Sequence, residues 1–195
     1  MAASLGARYL GAIFAGGPRT VTPERAAEVF DAAGAAPLRV GVFANADVPL
    51  IESTARVAGL NVIQLHGDPT VDEIRSVQRA TGCAVWGVTR IAGGTMPPAV
   101  AVLFGVADAV VLDTKVAGTL GGTGRPLPWR SLAPALDGIR GNEPVVVAGG
   151  LTAENVGEAI AALRPAVVDV SSGVESAPGI KDHRKMRDFV EAAWK

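Results

Sequence analysis

Cysteine and histidine are scarce in this sequence: among 195 residues there is one cysteine, Cys83, and two histidines, His66 and His183. One thiol excludes an internal disulfide and a cysteine-rich zinc site, and two histidines far apart in sequence do not suggest a metal centre. Charge of one sign is lacking too. Lys and Arg number 18 against 19 Asp and Glu, for a formal net charge of −1. No like-charged block is long enough to serve as a nucleic-acid arm or a membrane patch, so a small ligand is the expected partner, with no nucleic acid and no membrane. No apolar run approaches the roughly 20 residues that span a bilayer. The opening MAASLGARYLGAIF has neither the charged start nor the long apolar stretch of a signal peptide. A soluble protein of the reducing cytoplasm fits these absences.

What is present is enough apolar residue for one core. With 49% hydrophobic residues and a mean hydropathy of +0.32, residues 1–195 are most simply read as a single domain. Short runs rich in Val, Ile and Leu occur at Tyr9 to Phe14, Arg39 to Phe43, Asn61 to Leu65, Ala84 to Val88, Ala109 to Leu112, Pro144 to Val147 and Val167 to Val170. Each reads as a strand buried on both faces. Stretches with helical spacing lie between and after them, at Pro23 to Ala33, Val48 to Ala58, Val71 to Ala80, Pro98 to Val106, Trp129 to Ile139, Ala153 to Leu163 and Asp182 to Ala193. Thr22 before Pro23, and Thr152 followed by Glu154, signal helix starts; Gly34 and Gly59 signal stops. Such alternation means an α/β fold with parallel strands, either an open doubly wound sheet or a barrel, and the strand count alone does not decide between them.

Polar residues cluster just past the apolar runs. In a (β/α)8 barrel the active site forms at the C-terminal ends of the strands. Here those ends carry Gly16-Gly17-Pro18-Arg19, Gln64-Leu65-His66-Gly67-Asp68, Asp113-Thr114-Lys115, Gly149-Gly150 and Ser171-Ser172-Gly173, and nothing comparable marks the opposite ends. Two glycine-bearing loops after the last two strands suggest a phosphate cradle, since glycine lets backbone N–H groups approach an anion and barrels use this pair of loops for it. The plainer reading is two tight turns. Asp113 ends an apolar run, so its carboxyl should emerge at the mouth, where partial desolvation would suit a general acid; a helix cap or an ion pair with Lys115 is the alternative. The planar fork of Arg19 suits a substrate carboxylate, although an arginine in a turn is commonly just solvated.

The stretches IFAGGPRTVTPE (Ile13 to Glu24), VGVFAN (Val40 to Asn45), VIQLHGD (Val62 to Asp68), VLDTK (Val111 to Lys115), GGTGRPLPW (Gly121 to Trp129), VVVAGGLTAENV (Val145 to Val156) and VDVSSGVESAPGIKD (Val168 to Asp182) resemble successive signature segments of the phosphoribosylanthranilate isomerases, in that family's order. The resemblance implies a (β/α)8 TIM barrel and an Amadori rearrangement of N-(5′-phosphoribosyl)anthranilate without metal or organic cofactor, in a monomer or homodimer. It implies that Asp113 is the general acid protonating the ribose ring oxygen, that Arg19 meets the anthranilate carboxylate, and that Gly149, Gly150, Ser171, Ser172 and Gly173 form the phosphate site.

The front of the chain departs from the family pattern. A Lys-Ile-Cys-Gly type motif, whose cysteine is the family's general base, is absent, and Met1 to Arg8 look like the end of the family's first helix. The expectation is a barrel whose first strand and most of whose first helix are missing from this chain. Cys83 precedes its strand and should lie about 15 Å from the mouth at ~3.3 Å per residue, as a small buried or semi-buried hydrophobe. His66 should line the site, and is the histidine placed to act as a substitute base. His183 should be on the surface, whereas Trp86, Trp129 and Trp194 should pack in the core or on the barrel flank. Two rival readings stand beside the isomerase: the related sugar isomerase of histidine biosynthesis, disfavoured because the run ending Val88-Thr89-Arg90 supplies no carboxylate, and a phosphate-binding barrel impaired in catalysis by the missing base.

Overall fold

The computed structural model describes residues 1–114 and 128–194. Lys115 and nearly all of the Gly121 to Trp129 segment lie outside the described residues. The chain forms two compact units, Met1–Gly87 with Val106–Asp108, and Val88–Gly105 with Ala109–Lys195.

In the first unit, β1 (Tyr9–Ile13), β2 (Leu38–Phe43) and β3 (Val62–Leu65) pair in parallel, and β3 pairs with the start of β4 (Ala84–Ile91). Between them run α1 (Pro23–Ala33), α2 (Val48–Ala58) and α3 (Val71–Thr81). Each helix starts where a side-chain oxygen accepts an otherwise orphaned N–H. Thr22 accepts from Arg25, Asp47 from Leu50, and Thr70 from Glu73, whose own carboxylate returns the bond to the Thr70 N–H. Phe43 and Leu65 turn toward Val48 and Ile51 of α2 and Val77 of α3. One residue along, Gln64 turns to the other face beside its register partner Trp86, whose ring meets that of Tyr9 edge-on at 4.9 Å.

In the second unit, β5 (Ala109–Thr114), β6 (Val145–Val147) and β7 (Val167–Val168) pair in parallel, with α4 (Ala99–Leu103), α5 (Trp129–Ile139), α6 (Val156–Leu163) and α7 (His183–Ala193). Val110, Leu112, Val146, Leu132, Leu136, Val156 and Leu163 make its core, each fully or almost fully buried. A short antiparallel hairpin, β8 (Glu175–Ala177) with β9 (Ile180–Lys181), precedes α7.

Four expectations need correction. β5 runs through Asp113, so this side chain sits within a strand rather than beyond it. α6 starts at Val156 instead of Ala153, because Thr152 and Asn155 close a turn of their own. Trp194 is 79% exposed, since it lies past the last turn of α7. The N-terminal ends of the strands also carry polar groups, which are tied up structurally: the Asp108 carboxylate accepts from the Val85 N–H at 2.7 Å and from Gln78 Nε2 at 3.1 Å, and Arg39 pairs with Asp31 at 2.8 Å across the Phe30 ring.

Candidate active site

The first unit carries its candidate groups on the loops after β1 and β3. After β1, the chain turns back through Gly16 and Gly17, both with left-handed φ (82° and 88°), so that the Val21 N–H donates to the Ile13 carbonyl. This return presents Arg19, half-buried, beyond the end of β1. After β3, the His66 N–H donates to the Phe43 carbonyl at 2.7 Å, extending the ladder by one residue. His66 lines a cavity of about 90 Å³ with Phe43, Asn45, Ile51, Leu65 and Glu73. The Thr70 N–H, then the Thr70 hydroxyl, hold the Glu73 carboxyl below the usual glutamate range. Gln64, 5% exposed, stands on the opposite face of β3 from Leu65, a buried polar side chain to which the sequence alone assigns no role. Cys83 sits before β4, half-buried, with its thiol toward the Leu60 carbonyl at 3.3 Å. That is the end of the parallel strands opposite to His66. His183 is exposed at the start of α7.

The second unit holds the acid and the glycine loops. Asp113 is 7% exposed near the end of β5. Register pairs Val111 with Val146 and Val146 with Val167; two residues on, the ladder continues through the N–H groups of Ala148 and Asp169. Asp113 and Asp169 therefore stand on one face of this sheet. Asp169 was missed from sequence, although an acid two residues past Val167 carries the period-2 signal that would have found it.

Gly149 and Gly150 have φ of 83° and 69°, the left-handed region in which a Cβ is strained. Asn155 braces this loop: its Nδ2 donates to the Gly150 carbonyl at 2.9 Å, and its Oδ1 accepts from the Thr152 N–H at 2.8 Å. A trans peptide points its C=O and N–H in opposite directions, so holding the Gly150 carbonyl on Asn155 turns the Leu151 N–H the other way. Ser172–Val174 form a single 3-10 turn after β7. Gly173 lies against the Leu151 carbonyl, which a Cβ there would overlap, so the two glycine loops meet at this point. Loops with directed peptide N–H groups suit an anion held by backbone. Among the described residues no group of three or more His, Cys, Asp or Glu stands together as a metal site, and no helix is long and apolar enough to cross a membrane.

The profile of the N-(5′-phosphoribosyl)anthranilate (PRA) isomerase family matches residues 1–192. The N-(5′-phosphoribosyl)anthranilate isomerase of Pseudomonas fluorescens (strain SBW25) is 38% identical over 192 residues, which are 98% of this chain and 87% of that protein. The crystal structure of phosphoribosyl anthranilate isomerase from Thermotoga maritima superposes with a TM-score of 0.88 at 31% identity, covering 99% of this chain and 91% of that one. A phosphoribosyl anthranilate isomerase in complex with reduced 1-(o-carboxyphenylamino)-1-deoxyribulose 5-phosphate superposes with a TM-score of 0.84 at 29% identity, covering 99% and 90%. The fold is thus of the α/β, (β/α)8 TIM-barrel class. Within that class the chain belongs to the N-(5′-phosphoribosyl)anthranilate isomerase family.

Proposed function

We propose that this chain isomerises N-(5′-phosphoribosyl)anthranilate to 1-(2-carboxyphenylamino)-1-deoxyribulose 5-phosphate in tryptophan biosynthesis, acting in the cytoplasm as a monomer or homodimer. The observation that carries the reading is the family match over residues 1–192. The relative holding a reduced form of that product supports a ligand bearing both a phosphate and an aromatic carboxylate. In this reading Asp113 gives a proton to the ribose ring oxygen as the ring opens to a Schiff base. Arg19 meets the anthranilate carboxylate, His66 lines the substrate, and Gly149, Gly150, Ser171, Ser172 and Gly173 hold the phosphate through backbone N–H groups. Loss of the C2′ proton to a base then gives the enol that becomes the ketone, so the atoms of substrate and product are the same.

A second reading is favoured by one observation. The only thiol of these residues, Cys83, lies at the N-terminal end of β4, where it has no access to chemistry at the strands' C-terminal ends. In that reading the protein binds a phosphorylated ligand without turning it over. Steady-state assay with phosphoribosylanthranilate separates the two. The isomerase reading expects turnover, with kcat/KM falling about 10²- to 10⁴-fold in Asp113→Asn, the usual contribution of a positioned acid. Unchanged rates in that variant overturn the role of Asp113. Phosphate binding without turnover in the wild type establishes the second reading.

A further inference from the structure

We propose that Lys181, paired with Glu175, is a positioning residue that aims the N–H groups of the turn Ser171–Gly173 at the substrate phosphate. This rests on the phosphate role of that turn given above and adds the device that shapes it.

The sequence brings Glu175 and Lys181 face to face, because β8 and β9 pair with these two residues in register. The Lys181 Nζ lies 3.0 Å from Glu175 Oε1 and donates to the Ser171 carbonyl at 2.9 Å. The Glu175 side chain is 4% exposed, that of Lys181 41%. A carboxylate so buried needs a cation at hand, and Lys181 supplies it from the solvent side. Two of the ammonium's three donors are thereby spent on the protein.

The consequence lies in the geometry of a peptide. With its carbonyl drawn toward Lys181, the Ser171–Ser172 peptide must turn its N–H the opposite way, outward from the turn. The next carbonyls point back as well: Ser172 accepts from the Glu175 N–H, and Val174 accepts from the Asp182 N–H at 2.9 Å. Lys185 Nζ holds the Glu175 carbonyl at 2.8 Å, anchoring the hairpin to α7. The Val174 N–H also bonds the Ser171 carbonyl at 3.4 Å, so the hairpin is a backing that collects the Ser171, Ser172 and Val174 carbonyls and leaves the Ser172 and Gly173 N–H groups facing the other side. Lys181 is the part of that backing which touches the turn through a side chain, and its charge is balanced by Glu175.

The test is a titration of inorganic phosphate onto wild type, Lys181→Met and Lys181→Arg by calorimetry, beside KM and kcat for phosphoribosylanthranilate, all well below each protein's thermal midpoint. Loss of one charge-assisted bond to the turn should raise the phosphate Kd and the KM together by about 10-fold, with kcat changed less than about threefold. Lys181→Arg should restore most of both. A second variant, Glu175→Gln with Lys181→Gln, removes both charges at once and guards against a Lys181→Met protein that fails to fold; it should again raise Kd. A thermal midpoint that falls while phosphate Kd and KM stay at wild-type values overturns the proposal, because it leaves Lys181 with a purely structural role. Absence of turnover in the wild type counts against the isomerase reading instead, and the phosphate titration still decides the case of Lys181.

Discussion

The helix starts of the two units are built differently. In the first, α1, α2 and α3 all begin under a side-chain cap from Thr22, Asp47 or Thr70, so their leading N–H groups have partners within the protein. In the second, α4, α5 and α6 follow Pro98, Pro128 and Asn155, none of which gives a side-chain cap, and among its described helices α7 alone has one, from Asp182. Asn155 occupies a capping position yet spends its side chain on Gly150 and Thr152 of its own loop. Side chains at the first unit's junctions thus stabilise helices, while those around the glycine loops set the direction of peptides. A saturated helix start offers an anion little; a loop with aimed amides offers it a site.

The sharpest way to break this contrast is to compare one substitution from each side. Gly173→Ala sets a Cβ against the Leu151 carbonyl, a backbone atom with little room to yield. Overpacking of this kind costs about 1–3 kcal/mol, and because it separates the two glycine loops we expect the phosphate Kd to rise by about 10-fold or more. Gly150→Val, at φ 69°, should do the same through backbone strain. Calorimetric phosphate titration measures both. In the first unit, Thr70→Ala removes a cap and should lower stability by about 1 kcal/mol in urea unfolding, with phosphate Kd and KM at wild-type values. Equal effects of Thr70→Ala and Gly173→Ala on phosphate binding would erase the distinction between the units.

Much of this was readable from the residues, for reasons that also mark the boundary. Pro23–Ala33, Val48–Ala58 and Trp129–Ile139 have the bounds that their spacing and flanking signals predict, because periodicity and local start signals set them. Polar residues at strand ends mark Asp113 near the end of β5 and the loops bearing Arg19, His66, Gly149 and Ser171. What could not be read depends on pairing at a distance. The β8–β9 hairpin hides in SSGVESAPGIKD because two- and three-residue strands carry no periodicity, and Lys181 gains its meaning only when the chain reverses at Gly179 to face Glu175. Thr152 looked like a cap because a threonine followed by an acid two residues on imitates one, whereas Asn155 takes over the turn. The period-2 spacing from Val167 places Asp169 on a strand face, but that this face is the one carrying Asp113 comes only from register.

The smallest expected effect concerns acid, and it sharpens the same comparison. Glu73 in the first unit is held below the ordinary glutamate range, first by the Thr70 N–H and then by its hydroxyl. Asp182 in the second is held below the ordinary aspartate range, first by the Lys185 N–H and then by that of Arg184. A carboxyl whose folded pKa is depressed contributes stability that is present above its unfolded value, about 4.3 for Glu and 3.9 for Asp, and is lost as pH falls through the folded value. Glu73 is exposed and Asp182 only half-buried, so each contribution is modest. Glu73→Gln and Asp182→Asn keep an acceptor oxygen but cannot titrate, and each should flatten the acid limb of the stability curve below about pH 4.5. Only Asp182 is linked to the glycine loops, since its N–H bonds Val174 and its carboxylate orders the Lys185 that holds Glu175. Asp182→Asn should therefore also raise the phosphate Kd, by about two- to threefold for one weakened cap, while Glu73→Gln leaves it alone. Urea unfolding from pH 2.5 to 7, with phosphate titration at pH 7, measures both. A phosphate Kd that moves in Glu73→Gln but not in Asp182→Asn would mean that the side chains of the two units are coupled to the ligand in the reverse sense.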